Sequence, residues 1–186
     1  KVSHLFARDI EMISGKKPVL LSNNNNLTDH IIIIGTIGKN QLIDKLINEK
    51  KLQADSIQNQ WERYLIQTID KPFKGVQKAL VIAGSDSRGT AFGVFTLSEK
   101  MGVSPWYWWA DVPVKKSREI YLEDLYYVSK APSVKYRGIF INDEDWGLQP
   151  WAAKNVDTDI KDIGPKTYAH VCELLLRLKG NMFAPA

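Results

Sequence analysis

Tyr136-Arg-Gly-Ile-Phe-Ile-Asn-Asp-Glu-Asp-Trp-Gly-Leu148 decides how the second half of this chain is read. Gly138 to Ile141 is a short apolar run, which predicts a buried strand. It meets Asn142, Asp143, Glu144, Asp145 and Trp146 with no spacer. The carboxyl end of a strand is where parallel α/β folds place ligands, and this one carries carboxylates, an amide and an indole. The bland alternative is a solvated loop whose acids cap a helix, but so many acids directly after a strand exceed what a turn needs.

Downstream, Asn142 to Gly164 contains no obvious element and exceeds twenty residues. A connection that long in an α/β unit is functional or disordered, and Trp146 and Trp151 argue against disorder. A helix is then predicted over 165–179. Pro165 suits its first position, Gly180 follows it, and Tyr168, Val171, Cys172, Leu175 and Leu178 recur at helical spacing. The same spacing places Cys172 on the buried face as a core thiol. Residues 181–186 begin a second apolar strand. Strand, long loop, helix and strand make one βαβ unit over 134–186, too small to cover both faces of a parallel sheet.

Upstream, residues 1–130 read as an α/β unit. Strands are expected near 18–22, 30–35, 61–68 and 79–83, with a short one at 119–122. Helices are expected near 3–14, capped by Ser3, and near 39–49 and 89–101. The clearest strand is His30 to Gly35, with four consecutive isoleucines. Residues 126–133 read as a linker, because Pro132 enforces an extended chain before the next strand.

Composition narrows the function. A net charge of +4 is mild, and the basic residues are interspersed with acids, so nucleic acid is not an expected partner. No apolar run approaches a membrane span. The lone Cys172 excludes an internal disulfide and a cysteine-rich metal site. His4, His30 and His170 fit no compact ligand spacing, so neither a metal nor another cofactor is expected.

Two further motifs carry candidate chemistry. Gly84-Ser-Asp-Ser-Arg-Gly89 lies between a strand and a helix, where backbone N–H groups can bind anions. It lacks the Lys-Ser/Thr pair of a P-loop and the spacing of a dinucleotide fingerprint. The plainer reading is a structural turn with Asp86 as the cap, in which Arg88 alone is free to reach an anionic ligand. Trp106, Trp108 and Trp109 suit either sugar stacking or packing, and packing is favoured for two of the three. The loop after Ile141 combines carboxylates, which accept hydroxyl hydrogen bonds or transfer protons, with indoles that stack on sugars.

Four segments resemble glycoside hydrolase family 115, which contains xylan α-1,2-glucuronidases. They are Gly84-Ser-Asp-Ser-Arg-Gly-Thr-Ala-Phe-Gly93, the Trp-rich stretch from Val103 to Val114, Val134 to Trp151, and Leu174 to Ala186. The resemblance implies an N-terminal α/β sandwich of the kind found before hexosaminidase barrels. After it would come the first strand, helix and strand of a (β/α)₈ TIM barrel, truncated at Ala186. It implies an inverting enzyme that takes (4-O-methyl-)glucuronic acid from xylan or glucuronoxylan. The expected substrate-binding residues are Arg88, Asn142, Asp143, Glu144, Asp145 and Trp146. Glu144 is the best catalytic candidate in this chain, and the other members of the catalytic set are expected on later strands. The remaining partners are the rest of the parent polypeptide and, as an option, a second parent in a homodimer. A polymeric substrate places the parent in the periplasm or outside the cell. Without its later strands the 186-residue chain is expected to be inactive. Two alternatives share this sequence pattern: a β-N-acetylhexosaminidase-like hydrolase, and a non-catalytic carbohydrate-binding α/β module.

Overall fold

The computed structural model describes residues 1–21, 27–142 and 145–185. It divides into two compact units, Lys1–Pro132 and Ser133–Ala186. Both are α/β.

The first unit is built on a sheet of four strands. These are β1 (His30–Thr36), β2 (Tyr64–Asp70), β3 (Lys78–Gly84) and β4 (Tyr126–Val128), in the order β1-β3-β2-β4. β1 runs parallel to β3, and the β2–β3 and β2–β4 pairs are antiparallel. Alternation along the strands sends successive side chains to opposite faces. One face, with Ile33, Leu65, Ile69, Ala79, Val81 and Ala83, packs against Ile43 and Leu46 of α2 (Gln41–Asn48).

The other face is covered by α3 (Ser87–Lys100), and α1 (Val2–Ser14) packs on α3 in turn. A helix with neighbours on two sides is buried all round and need not be amphipathic. Accordingly, every residue from Gly89 to Ser98 is buried. Phe95 is 1% exposed, and Tyr64 from the sheet shares a hydrogen bond of 2.7 Å with Thr96.

Several expectations are corrected here. The described residues of 18–22 form no strand, and Val19 is 83% exposed. The fourth strand, β4, lies inside the stretch that reads as a linker, and residues 119–122 are not a strand. Pairing selected it: Ser129 donates its N–H to the Tyr64 carbonyl and accepts the Tyr64 N–H on Oγ, at 2.9 Å each. Arg63 then clamps the Ser129 carbonyl through Nε (3.0 Å) and Nη2 (2.6 Å). Ser3 lies within α1 rather than capping it, since the N-cap position falls at Lys1. Ile32 is 46% exposed because β1 is an edge strand, although Ile33 is buried.

The second unit holds β5 (Gly138–Ile141), α4 (Leu148–Asn155), α5 (Pro165–Arg177) and β6 (Met182–Pro185). β5 and β6 are parallel, with Gly138 opposite Met182 and Ile141 opposite Pro185. A Cβ on Gly138 would lie 2.1 Å from the Met182 carbonyl oxygen, so glycine is what lets the strands approach. The stretch that reads as one long loop contains α4. Cys172 is exposed, not a core thiol, because α5 buries the face carrying Thr167, Val171, Leu174 and Leu175.

Since Phe95 is fully buried in α3, the helix between the sheet and α1, Phe95→Ala is expected to destabilise the first unit by about 3–5 kcal/mol. Denaturant unfolding of wild type and variant measures this. A loss well under about 1 kcal/mol would mean that α3 is not the packed centre of the unit.

Candidate functional site

The two ends of the β5–β6 pair are built differently. At the amino end the backbone is locked. Arg137 donates its N–H to Asn181 Oδ1 (3.0 Å), and Asn181 returns its N–H to the Arg137 carbonyl (2.7 Å). The Asn181 amide reaches the Lys135 carbonyl at 2.8 Å, and the Arg137 guanidinium donates to Lys179 and Val134 carbonyls at 3.0 and 2.8 Å. At the carboxyl end, Asn142, Asp145 and Trp146 are all exposed, Trp146 to 81%. One end is therefore closed on itself while the other offers an amide, a carboxylate and an indole to solvent. Asp143 and Glu144 lie outside the described residues.

Behind this open end, α5 is held by a carboxylate that the sequence pattern did not single out. Gly164 stands at the N-cap and has no side chain to satisfy the first N–H groups of the helix. Asp157 supplies one from outside the helix. Its carboxylate accepts from Lys166 N (3.1 Å), Thr167 N (2.9 Å) and Thr167 Oγ1 (2.6 Å). A Cβ on Gly164 would stand 2.5 Å from Asp157 Oδ1, so glycine makes room for the cap. Burial pushes the Asp157 carboxyl up, but the Thr167 hydroxyl and the N–H groups of Thr167, Lys166 and Gly164 outweigh it and hold the carboxyl below its ordinary value. The only signal available in the sequence was Gly164-Pro165, a helix start with no cap of its own. At the other end of α5, Arg177 is buried and pairs with Glu173 at 2.9 Å.

Arg88 belongs to the first unit, where its Nη1 donates to Glu62 Oε1 at 2.8 Å. The Glu62 side chain is buried while that of Arg88 is 57% exposed. Asp86 caps α3 through Gly89 N (2.7 Å) and accepts the Glu62 N–H on its other oxygen (2.8 Å). Ser85 N and Thr90 N are spent on the carbonyls of Arg63 and Asp86. The turn thus behaves as a structural one, with the N–H groups of Ser85, Gly89 and Thr90 spent within the protein. In the aromatic segment, Trp108 and Trp109 pack edge to face at 4.8 Å and are half-buried, Tyr107 lies under Arg8, and Trp106 is exposed.

Among the described residues no group of three or more His, Cys, Asp or Glu side chains is placed to hold a metal ion. Among them, too, no helix is long and apolar enough to cross a membrane.

Comparison with known proteins bears on the same segment. The model of glycosyl hydrolase family 115 matches residues 129–186, the stretch holding β5, its acidic loop, α5 and β6. The whole chain is similar to part of a solved structure described as a family GH115 4-O-methyl-α-glucuronidase, BtGH115A, with specificity for decorated arabinogalactans. The identity is 38% and the TM-score 0.81, over 100% of this chain and 23% of that one. The chain therefore spans about a quarter of the length of that relative. No curated protein matches it.

The Asp157 cap has a pH signature. A carboxyl whose folded pKa is depressed stabilises the fold above its unfolded value, here 3.8, and loses that contribution as pH falls through the folded value. Asp157→Ala is expected to lower the melting point of the second unit at neutral pH. The gap from wild type should close as the pH drops below the ordinary carboxyl range. Thermal melts followed by tryptophan fluorescence read this, and a gap that stays constant with pH would contradict the assignment.

Proposed function

We propose, since this chain belongs to glycosyl hydrolase family 115 as an N-terminal portion of such a protein, that its parent removes glucuronic acid or 4-O-methylglucuronic acid from polysaccharide side chains. The observation that carries this reading is the open carboxyl end of β5, where Asn142, Asp145 and Trp146 face solvent within the family-matched segment. An exposed indole presents an apolar face to a pyranose ring. The amide both donates hydrogen bonds to and accepts them from sugar hydroxyls, and the carboxylate accepts them.

In this proposal β5, α5 and β6 are the first strand, first helix and second strand of a (β/α)₈ barrel. Such a barrel places its site at the carboxyl ends of its strands, and a complete one takes about 250 residues. Phe140 is 68% exposed and Met182 46%, so the β5–β6 pair has apolar surface that further strands would cover. Inversion requires a general acid at the leaving oxygen and a general base on the attacking water, with the two carboxyls about 6.5–9.5 Å apart. Glu144 is the candidate for one role, or for a hydrogen bond to the reacting sugar; at least one partner comes from a later strand. Arg88 is a candidate for the uronate carboxylate, since a guanidinium binds carboxylates through paired hydrogen bonds. A polymeric substrate puts the parent in the periplasm or outside the cell, and a homodimer is its proposed assembly.

The backbone that bears the uronate is proposed to be xylan. The description of the similar solved structure favours a second reading, uronate on decorated arabinogalactan. Incubating the complete parent with both oligosaccharide types and analysing the released sugar decides between them. Release of glucuronic or 4-O-methylglucuronic acid from either supports the activity, and release from neither contradicts it. Glu144→Gln in the parent is expected to lower kcat by about a hundredfold or more with little change in melting point. The 186-residue chain alone is expected to release no uronic acid. A misplacement of about 1 Å already costs on the order of a hundredfold, and an unclosed strand pair holds no acid and base in register.

A further inference from the structure

At the far end of the first sheet from the α3 N-terminus, the β2–β3 connection over 71–77 forms the wall of a cavity of about 420 Å³. Lys51, Lys71 and Lys74 line it, with Phe73, Asp29 and Gln77. The connection is pinned. Lys71 N donates to the Gln77 carbonyl (2.8 Å), Gln77 N to the Asp29 carbonyl (2.7 Å), and Lys51 Nζ to the Pro72 carbonyl (3.0 Å). Lys71 itself sits at φ 47, a left-handed conformation that non-glycine residues seldom hold without a surrounding structure that fixes them.

The charges around the cavity do not cancel. Asp70 and Asp124 are both taken by Lys78, at 3.4 and 2.6 Å, and Glu49 is taken by Lys51 at 2.7 Å. Among the described residues, Lys71 and Lys74 have no carboxylate partner, and both are exposed. Two uncompensated ammonium groups on a fixed rim favour an anion. Asp29 in the same lining disfavours a bare oxyanion, since it would face it with a like charge. A ligand carrying both a carboxylate and hydroxyls suits the whole set: the carboxylate meets Lys71 and Lys74, hydroxyls meet Asp29 and Gln77, and Phe73 gives an apolar wall.

We propose that this cavity is an accessory binding site for the uronate unit of an acidic oligosaccharide. The choice of a glycan rests on the hydrolase reading above; the lysine geometry does not. The test titrates the 186-residue chain with a uronate-bearing xylo-oligosaccharide, the same oligosaccharide without the uronate, and inorganic phosphate, following backbone amide shifts by NMR. Expected are shifts at 71–77 with the acidic oligosaccharide, and much weaker ones with the neutral sugar and with phosphate. Lys71→Gln with Lys74→Gln should weaken binding by about fivefold or more, as two exposed charge pairs allow. The unperturbed amide spectrum elsewhere certifies that the variant is folded.

Equal response to phosphate would overturn the proposal in favour of a general oxyanion trap. So would no shifts at 71–77, or binding that survives the double variant. A parent that binds at 71–77 but releases no uronic acid sinks the hydrolase reading alone. A parent that releases uronic acid without binding there sinks this proposal alone.

Discussion

Two parallel strands of four residues with one helix behind them cannot dry both of their faces. That constraint governs the second unit. α5 meets the pair where Tyr168 stacks on Phe183 at 5.7 Å and buries its own Val171, Leu174 and Leu175, while Phe140 remains largely in solvent. Parallel sheets occur where both faces are covered. The proposed barrel follows from this unmet burial as much as from the family match over the same residues.

The candidate site depends on the asymmetry of that strand pair. Reciprocal hydrogen bonds between Arg137 and Asn181 spend the polar groups at the amino end. At the carboxyl end Asn142, Asp145 and Trp146 are exposed and presented to solvent. Asp157 then fixes where α5 begins. A buried carboxylate is tolerated there because Thr167 and the N–H groups at the helix start satisfy it. The first unit works differently. Its centre is a helix buried on two sides, the α3 turn is closed by its own Asp86 on Gly89, and the β2–β4 edge is clamped by Arg63 on Ser129.

What could be read from the sequence was whatever depends on near neighbours. The isoleucines of β1, the apolar run of β3, the Asp86 cap of α3 and the Gly164-Pro165 start of α5 all carry local signals. The end of β5 at Ile141, with Asn142 next in the chain, was legible for the same reason. What failed depended on distant partners. Residues 119–122 read as a strand and 126–133 as a linker, yet pairing with β2, including its hydrogen bonds to Ser129, places the strand at 126–128. α4 is only eight residues long and carries Pro150, so its period was too weak to see. Cys172 fits the helical repeat of α5 but falls on its solvent side, because Thr167 and Arg177 take buried places that a purely apolar pattern would not assign them. Asp157 acts on Thr167 ten residues away, a distance at which no capping motif operates.

The central proposal is that β5, α5 and β6 begin a larger parallel barrel whose open end carries Asn142, Asp145 and Trp146. Amide hydrogen exchange of the 186-residue chain, compared with the complete parent, tests it most directly. The account predicts that amides of β5 and β6 exchange much faster than those of β3 in the isolated chain and become strongly protected in the parent. Equal protection of β5, β6 and β3 in the isolated chain, unchanged in the parent, would contradict it.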